Sequence, residues 1–286
     1  MISFLKNQTF FFEEPFRVPS KTRKHDRNHL GDATYHMGSI QTVRRQPRLL
    51  IFTGAGTSVD SGLPVFRKTS VTEPDGGLMW GDRSVHDVCN YYRLQQAHEK
   101  DNAGHIHAFY EEMREKIQAA EPNALHYLIR DIMNRGKFDV RVITTNVDDL
   151  FERAGVPPER VHHLHGSILK NRCRRCQESF PFHQKKCPKH ESLVATDIVF
   201  YGETCLYYTK GKRAFTRLCS GDTILMVGSS GETFGEAMTF WAKCKSRGVH
   251  TIHVNPDGRP HFLYPSDATL YCTTQNALPK LRQHFS

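Results

Sequence analysis

The sequence predicts an α/β fold: a Rossmann-like parallel sheet with helices on both faces, plus a small zinc-binding module and a helical insertion. Three observations predict it. Four short β-branched or apolar runs, residues 48–53, 140–144, 223–227 and 251–254, each end in turn residues, "GAG", "TNVD", "GSSGE" and "NPDG". Helical patterns lie between them. The stretch "CRRCQESFPFHQKKCPKH" interrupts the alternation with metal-ligand spacing. Strands alternating with helices imply a mainly parallel sheet covered on both faces, whose ligands bind beyond the carboxyl ends of the strands. The four turns should therefore converge on one site.

In chain order, residues 1–46 are expected to be an N-terminal extension, poorly ordered and of no assigned function. "SKTRKHDRNHLGD" is polar, basic and without periodicity, after an aromatic "FFFEEPF". The first strand, residues 48–53, leads into "GAGTSV", in which Gly54, Ala55, Gly56 and Ser58 offer a tight turn and close backbone approach to a pyrophosphate. A helix N-terminus is expected after it. A glycine turn alone also fits a loop that binds nothing. A hydride-transferring dehydrogenase would have a small residue where Val59 stands and an acidic ribose partner about 20 residues on. "GLPVFRKTS" fills that interval instead.

Further on, Ile106, Phe109, Tyr110, Met113 and Ile117 recur on one helical face, and "GETFGEAMTFWAKCKSRG" reads as a helix with basic residues in its last turn and Gly248 as its stop. Cys173 and Cys176, then Cys187 and His190, form two closely spaced pairs that suit a closed tetrahedral Cys3His site for one structural Zn²⁺, with His183 as the rival fourth ligand. Around them Lys170, Arg172, Arg174, Arg175, Lys185, Lys186 and Lys189 face the single acid Glu178. This basic patch reads as a solvated face.

The chain has 286 residues, 39 of them Lys or Arg against 30 Asp or Glu, a formal charge of +9 too diffuse to indicate nucleic acid. Its apolar runs are strand-length and far short of the ~20 residues that span a bilayer. Three of the eight cysteines crowd into residues 173–187, and no small-residue cleavage site follows an apolar core at the start. A reducing, intracellular setting is expected, cytoplasmic or nuclear, for a monomer with no membrane and no nucleic-acid partner.

Taken in order, the glycine turn, "GLPVFR", "TTNVDDLFERAG", "HLHGS", the zinc pairs, "DIVFYGE", "VGSS" and "VNP" resemble the sirtuins, NAD⁺-dependent protein lysine deacylases. "AEPNALH" also matches a family stretch leading into a helix. The resemblance covers residues 47–286. It implies a core of about 47–62, 121–166 and 204–286, a mobile helical module of about 63–120 and a zinc module of about 167–203.

The resemblance further implies NAD and zinc as cofactors and an acylated lysine on a protein or peptide as partner. The cofactor site would use the glycine turn together with Phe66, Arg67, Gly228, Ser229 and Asn255. Asn146 and Asp148 would position the nicotinamide and a water, and His165 would be the general base. The acyl oxygen attacks the ribose carbon, nicotinamide leaves, and water yields free lysine and O-acyl-ADP-ribose. Val199, Phe200 and Gly202 would pair with the substrate as an added strand.

Tyr110 would stand in the acyl pocket. The sirtuins that remove charged acyl groups carry an arginine three residues after this tyrosine. Met113 occupies that place and Arg114, one residue on, is rotated by about 100°. Uncharged acyl groups are therefore favoured. Two further departures from the family are Val65 for aspartate and Thr145 for glutamine. They keep two alternatives open, an ADP-ribosyltransferase or NAD glycohydrolase using the same pocket, and a catalytically silent NAD-binding module.

Overall fold

The structure, a computed structural model, describes residues 45–68, 78–100, 104–191, 194–205, 207–231, 237–256 and 266–286. Its centre is a six-stranded sheet in the order β12-β11-β10-β1-β5-β6, parallel throughout. The strands are β1 (Arg48–Thr53), β5 (Asp139–Thr144), β6 (Val161–His163), β10 (Thr223–Val227), β11 (His250–Val254) and β12 (Ala268–Leu270). Successive residues of β1 point to opposite faces, and both faces are covered. Leu49 and Ile51 pack with helices α4 (Ala124–Asn134) and α8 (Thr274–His284), whereas Leu50 and Phe52 pack with α6 (Tyr208–Thr216) and α7 (Ala237–Ser246). This two-sided burial is why the strands read as continuous apolar runs.

The chain leaves β1 toward β5 and β6 on one side and returns to β10, β11 and β12 on the other. The strand order thus reverses between β1 and β10, and that gap is where such sheets bind ligands. Helix α4 begins at a full capping box. The Asn123 side chain accepts from Leu125 N at 3.0 Å, and His126 Nδ1 accepts from Asn123 N at 3.1 Å. Helix α7 stops before Gly248, as its sequence predicts; residues 232–236 of that stretch lie outside the described residues.

Two smaller units flank the sheet. The insertion expected to be helical also contains an antiparallel sheet, β2 (Phe66–Lys68), β3 (Leu78–Trp80) and β4 (Arg83–Ser84), ahead of α1 (Val85–Val88), α2 (Tyr91–Glu99) and α3 (Gly104–Ala119). The five-residue stripe of α3 is buried with Trp80, Leu94 and Phe200. The other unit is the sheet β8-β7-β9, made of β7 (Gly166–Arg172), β8 (Ser179–Pro181) and β9 (Ala195–Ile198). Helix α5 (Leu150–Arg153) follows the turn after β5.

The core starts slightly earlier than the sequence indicates. Arg45 pairs with the fully buried carboxylate of Asp222 at 2.8 Å, and Gln46 Nε2 donates to Gly136 O at 2.6 Å. The rest of the expected extension, residues 1–44, lies outside the described residues.

Candidate functional site

The turns after β1, β5, β10 and β11 do converge. Together with the segment after β9 they line a cavity of about 460 Å³ at the strand-order reversal. Gly54, Ala55, Gly56, Ser58, Asn146, Asp148, His165, Val199, Phe200, Gly202, Gly228, Ser229 and Asn255 all line it, so these residues named from the sequence meet in one place.

The glycine turn differs in detail from its expected form. Two 3-10 turns, Ala55–Thr57 and Val59–Ser61, follow Gly54 in place of an α-helix, so the glycine turn itself presents no long helix dipole. Val59 is 48 % exposed and packs no helix, which is why a bulky residue is tolerated there. The turn is locked to its neighbour. Gly56 N donates to Gly228 O at 2.9 Å, and a Cβ on Gly56 would lie 2.8 Å from that oxygen. Gly228 has φ +61°, and its added Cβ would meet Thr57 N at 2.5 Å. These glycines are thus required by the contact between the two turns, before any ligand is considered.

A buried hydrogen-bond chain sits beneath the turn. Asn146 Nδ2 donates to Ser58 Oγ at 3.0 Å and to Thr57 Oγ1 at 3.2 Å, and Ser58 Oγ donates to Asp148 Oδ2 at 2.9 Å. Leu150 N also donates to Asp148 Oδ1 at 3.2 Å. Burial pushes the Asp148 carboxyl up from its ordinary value, against the pull of Ser58 and Leu150. Asn123, the N-cap of α4, adds an anchor that the sequence did not reveal. Its Nδ2 donates to Thr57 O at 2.7 Å and to Ser61 Oγ at 3.1 Å.

His165 is placed by its neighbours. Its Nδ1 lies 3.1 Å from Thr145 O; a carbonyl only accepts, so the proton belongs on Nδ1 and Nε2 is the ring's basic nitrogen. Gly166 follows because nothing larger fits: φ is +80° and a Cβ would lie 2.1 Å from Asp197 O. His163 is different. Nδ1 faces Asn146 O at 2.9 Å and Nε2 faces Glu152 Oε1 at 2.9 Å, so both nitrogens donate. Burial works to lower its pKa, but Glu152 and the Asn146 carbonyl outweigh it and the pKa is raised.

One position named from the sequence lies apart from the cavity. Tyr110 is 2 % exposed, its hydroxyl donates to Val88 O at 2.8 Å, and it is absent from the cavity lining. Met113 and Ile117, one turn and two turns on, line the cavity in its place; in the sequence Ile117 reads only as core stripe. Arg114 turns toward the zinc module, donating Nε to Ile168 O at 3.0 Å and lying 5.1 Å from the Phe182 ring. Phe66 and Arg67 contribute backbone to β2, and their side chains lie outside the described residues. Val65 and Thr145 both reach the cavity.

The ligand atoms of Cys173, Cys176, Cys187 and His190 lie within 4.8 Å of one another. Separations of 3.8 Å between Cys176 and Cys187, and of 3.4 and 3.7 Å from His190 Nδ1 to Cys187 and Cys173, match the edges of a tetrahedron with Zn–S of about 2.3 Å. The donor set fits a structural zinc, and His183 is outside it. The surrounding basic patch is less free than it reads. Lys185 pairs with Glu111 at 2.6 Å, Lys189 pairs with Glu178, and Arg172 and Arg174 turn inward.

The Sir2 family model matches residues 54–234 of this chain. The chain is a member of the Sir2 family. An NAD-dependent protein deacylase of Helicobacter hepaticus is 33% identical over 84% of this Sir2 chain and 97% of its own length. NAD-dependent protein deacylase 1 of Pseudomonas aeruginosa is 32% identical over 85% and 96%. The crystal structure of a Sir2 homolog–NAD complex superimposes with a TM-score of 0.68 at 30% identity, covering 83% of this chain and 89% of that one.

Proposed function

We propose that this Sir2 protein is an NAD-dependent protein lysine deacylase that releases nicotinamide, free lysine and O-acyl-ADP-ribose. The observation that carries the reading is the single cavity in which the Asn146–Ser58–Asp148 chain, the oriented His165 and the 199–202 segment meet. NAD supplies the chemistry when bound, through the labile bond between its nicotinamide and ribose.

The chain's own residues have separable tasks. The turns at Gly54–Gly56, Gly228–Ser229 and Asn255 hold the dinucleotide; Asn255 Nδ2 ties the last two together by donating to Ser229 O at 2.9 Å. Asn146 and Asp148, fixed from below by Ser58, present polar groups at the nicotinamide end. His165 takes a proton at Nε2 while Thr145 O holds Nδ1. Val199 N donates to His165 O at 2.9 Å, which ties the peptide-binding segment to the base. The main-chain groups of residues 199–202 that these internal bonds leave over pair with the acyl-lysine peptide.

The acyl end meets Met113, Ile117, Ile198 and Phe200, all apolar, which supports uncharged acyl groups. The core binds NAD, residues 63–120 cover its nicotinamide end, and residues 167–203 carry zinc and present the peptide. Cys173, Cys176, Cys187 and His190 are the metal ligands, and a reducing, intracellular setting would keep their thiolates available to the metal. Among the described residues no helix is long and apolar enough to cross a membrane.

Incubation with NAD and a panel of acetyl-, succinyl- and long-chain acyl-lysine peptides, read by mass spectrometry, tests this. O-acyl-ADP-ribose formed only with peptide is expected. Free ADP-ribose without peptide would replace the reading with a glycohydrolase. His165→Tyr should abolish turnover while zinc content and NAD affinity persist; full turnover would remove His165 from the base role.

A further inference from the structure

Arg172 and Arg174 stand on either side of Cys173, the first residue of the metal cluster. Both point away from the metal, into the interior. The Arg172 side chain is 1 % exposed, that of Asp197 3 %, that of Glu203 8 % and that of Arg174 16 %. Two positive and two negative groups thus form one largely buried cluster between the metal module and the peptide-binding segment, with Glu203 also on the cavity lining.

The contacts run in one direction along the chain. Arg172 Nε lies 2.9 Å from Asp197 Oδ1, and Arg172 Nη2 donates to Glu203 Oε1 at 3.0 Å and to Ile198 O at 3.1 Å. Arg174 pairs with the same Glu203 oxygen through Nη1, while its Nη2 donates to Thr196 O at 2.8 Å and Ile198 O at 3.3 Å. The far oxygen, Glu203 Oε2, accepts from Phe200 N at 3.1 Å. Arg174 also lies 5.0 Å from the centre of the Phe200 ring, which lines the cavity. The backbone N–H and the ring of a cavity residue are therefore held by groups that flank a metal ligand.

Buried charges are costly unless paired, so each of these four groups depends on its partners. Through their shared backbone, Cys173 is one residue from both arginines that hold Glu203. On the deacylase reading above, we infer that Arg172, Arg174 and Glu203 are positioning residues through which the metal module sets the geometry of residues 198–203, and so the affinity for acyl-lysine peptide rather than for NAD. The dinucleotide turns at Gly54–Gly56 and Gly228 make none of these contacts.

The test uses zinc-loaded protein. In Glu203→Gln, hydrogen–deuterium exchange of residues 198–203 should rise about tenfold, and the peptide KM should rise about tenfold. Zinc content should stay at the wild-type level, and kcat and the KM for NAD should stay within about twofold. Should that variant fail to fold, Arg174→Lys keeps the charge but loses the fork that reaches Glu203 and Thr196 O together, and the same shifts are expected. Unmoved exchange and peptide KM would overturn the inference, as would an equal rise in both KM values or loss of zinc. The exchange measurement needs no turnover. A wild-type protein without peptide-dependent NAD cleavage would sink the deacylase reading while the coupling itself is still decided.

Discussion

Lowering the pH through the titration range of His126 should unlatch the helix that steadies the glycine turn. His126 is fully buried, its ring centre 4.6 Å from that of Phe151, and its Nδ1 must be unprotonated to accept from Asn123 N. Nε2 is buried with no hydrogen-bond acceptor in reach. Burial pushes its pKa from 6.5 down to about 4, with Glu152 pulling weakly the other way. The unfolded chain takes up the proton near 6.5 and the folded one only near 4, so in that window the unfolded state binds more protons. Stability from this group is complete above about pH 6.5 and is lost as the pH falls toward 4. At about 1.4 kcal/mol per pH unit the loss is about 3 kcal/mol.

The comparison is with His126→Gln, which keeps an acceptor for the capping box and does not titrate. Urea denaturation of both proteins from about pH 7.5 to about 4.5 should give curves that converge on the acid side. Groups common to both, including the zinc thiolates, cancel in the difference. So does His163, whose raised pKa works with the opposite sign, stabilising the fold at low pH and losing that contribution as the pH rises. NAD affinity should fall in parallel, because Asn123 also holds Thr57 O and Ser61 Oγ. Parallel stability curves for the two proteins would refute the reasoning.

Gly228→Ala should destabilise by more than about 2 kcal/mol in urea denaturation, since φ is +61° and the new methyl meets backbone at Thr57. A stable variant with normal NAD affinity would show that the two turns are free to part. Cys173→Ser should lose zinc by elemental analysis and lower the melting temperature, and a fully metallated variant would sink the ligand assignment. Val65→Asp places a carboxylate at a partly exposed cavity wall, so it need not bury an unpaired charge. It should raise kcat/KM for peptide-dependent NAD cleavage about tenfold through one charged hydrogen bond; an unchanged value would make valine a neutral replacement.

The four long strands were legible to within a residue because each sends apolar side chains to both faces, a property of the strand alone. Strands β6 and β12 were not read: each has three residues and sits at a sheet edge, and "VHH" and "ATL" say nothing of the neighbour they pair with. The same division runs through the site. Its turns were predictable because a parallel sheet delivers them to one end wherever the strand order reverses. Its side-chain partners were not. On α3 the spacing of Tyr110 and Met113 says that both are buried, but only tertiary packing sends the tyrosine hydroxyl to Val88 and the methionine into the cavity.

Arg172 and Arg174 make the point most sharply. Seven basic residues around the metal pairs read as a solvated face, yet Arg172 is buried and Arg174 largely covered, both paired with acids at Asp197 or Glu203 beyond the last metal ligand in the chain. Periodicity records the shape of one element, and spacing records a local ligand set. Whether a charge faces water or a partner depends on where a second element carries its complement. That is why the metal cluster could be read from its own four residues, whereas the link from it to the peptide segment required the fold.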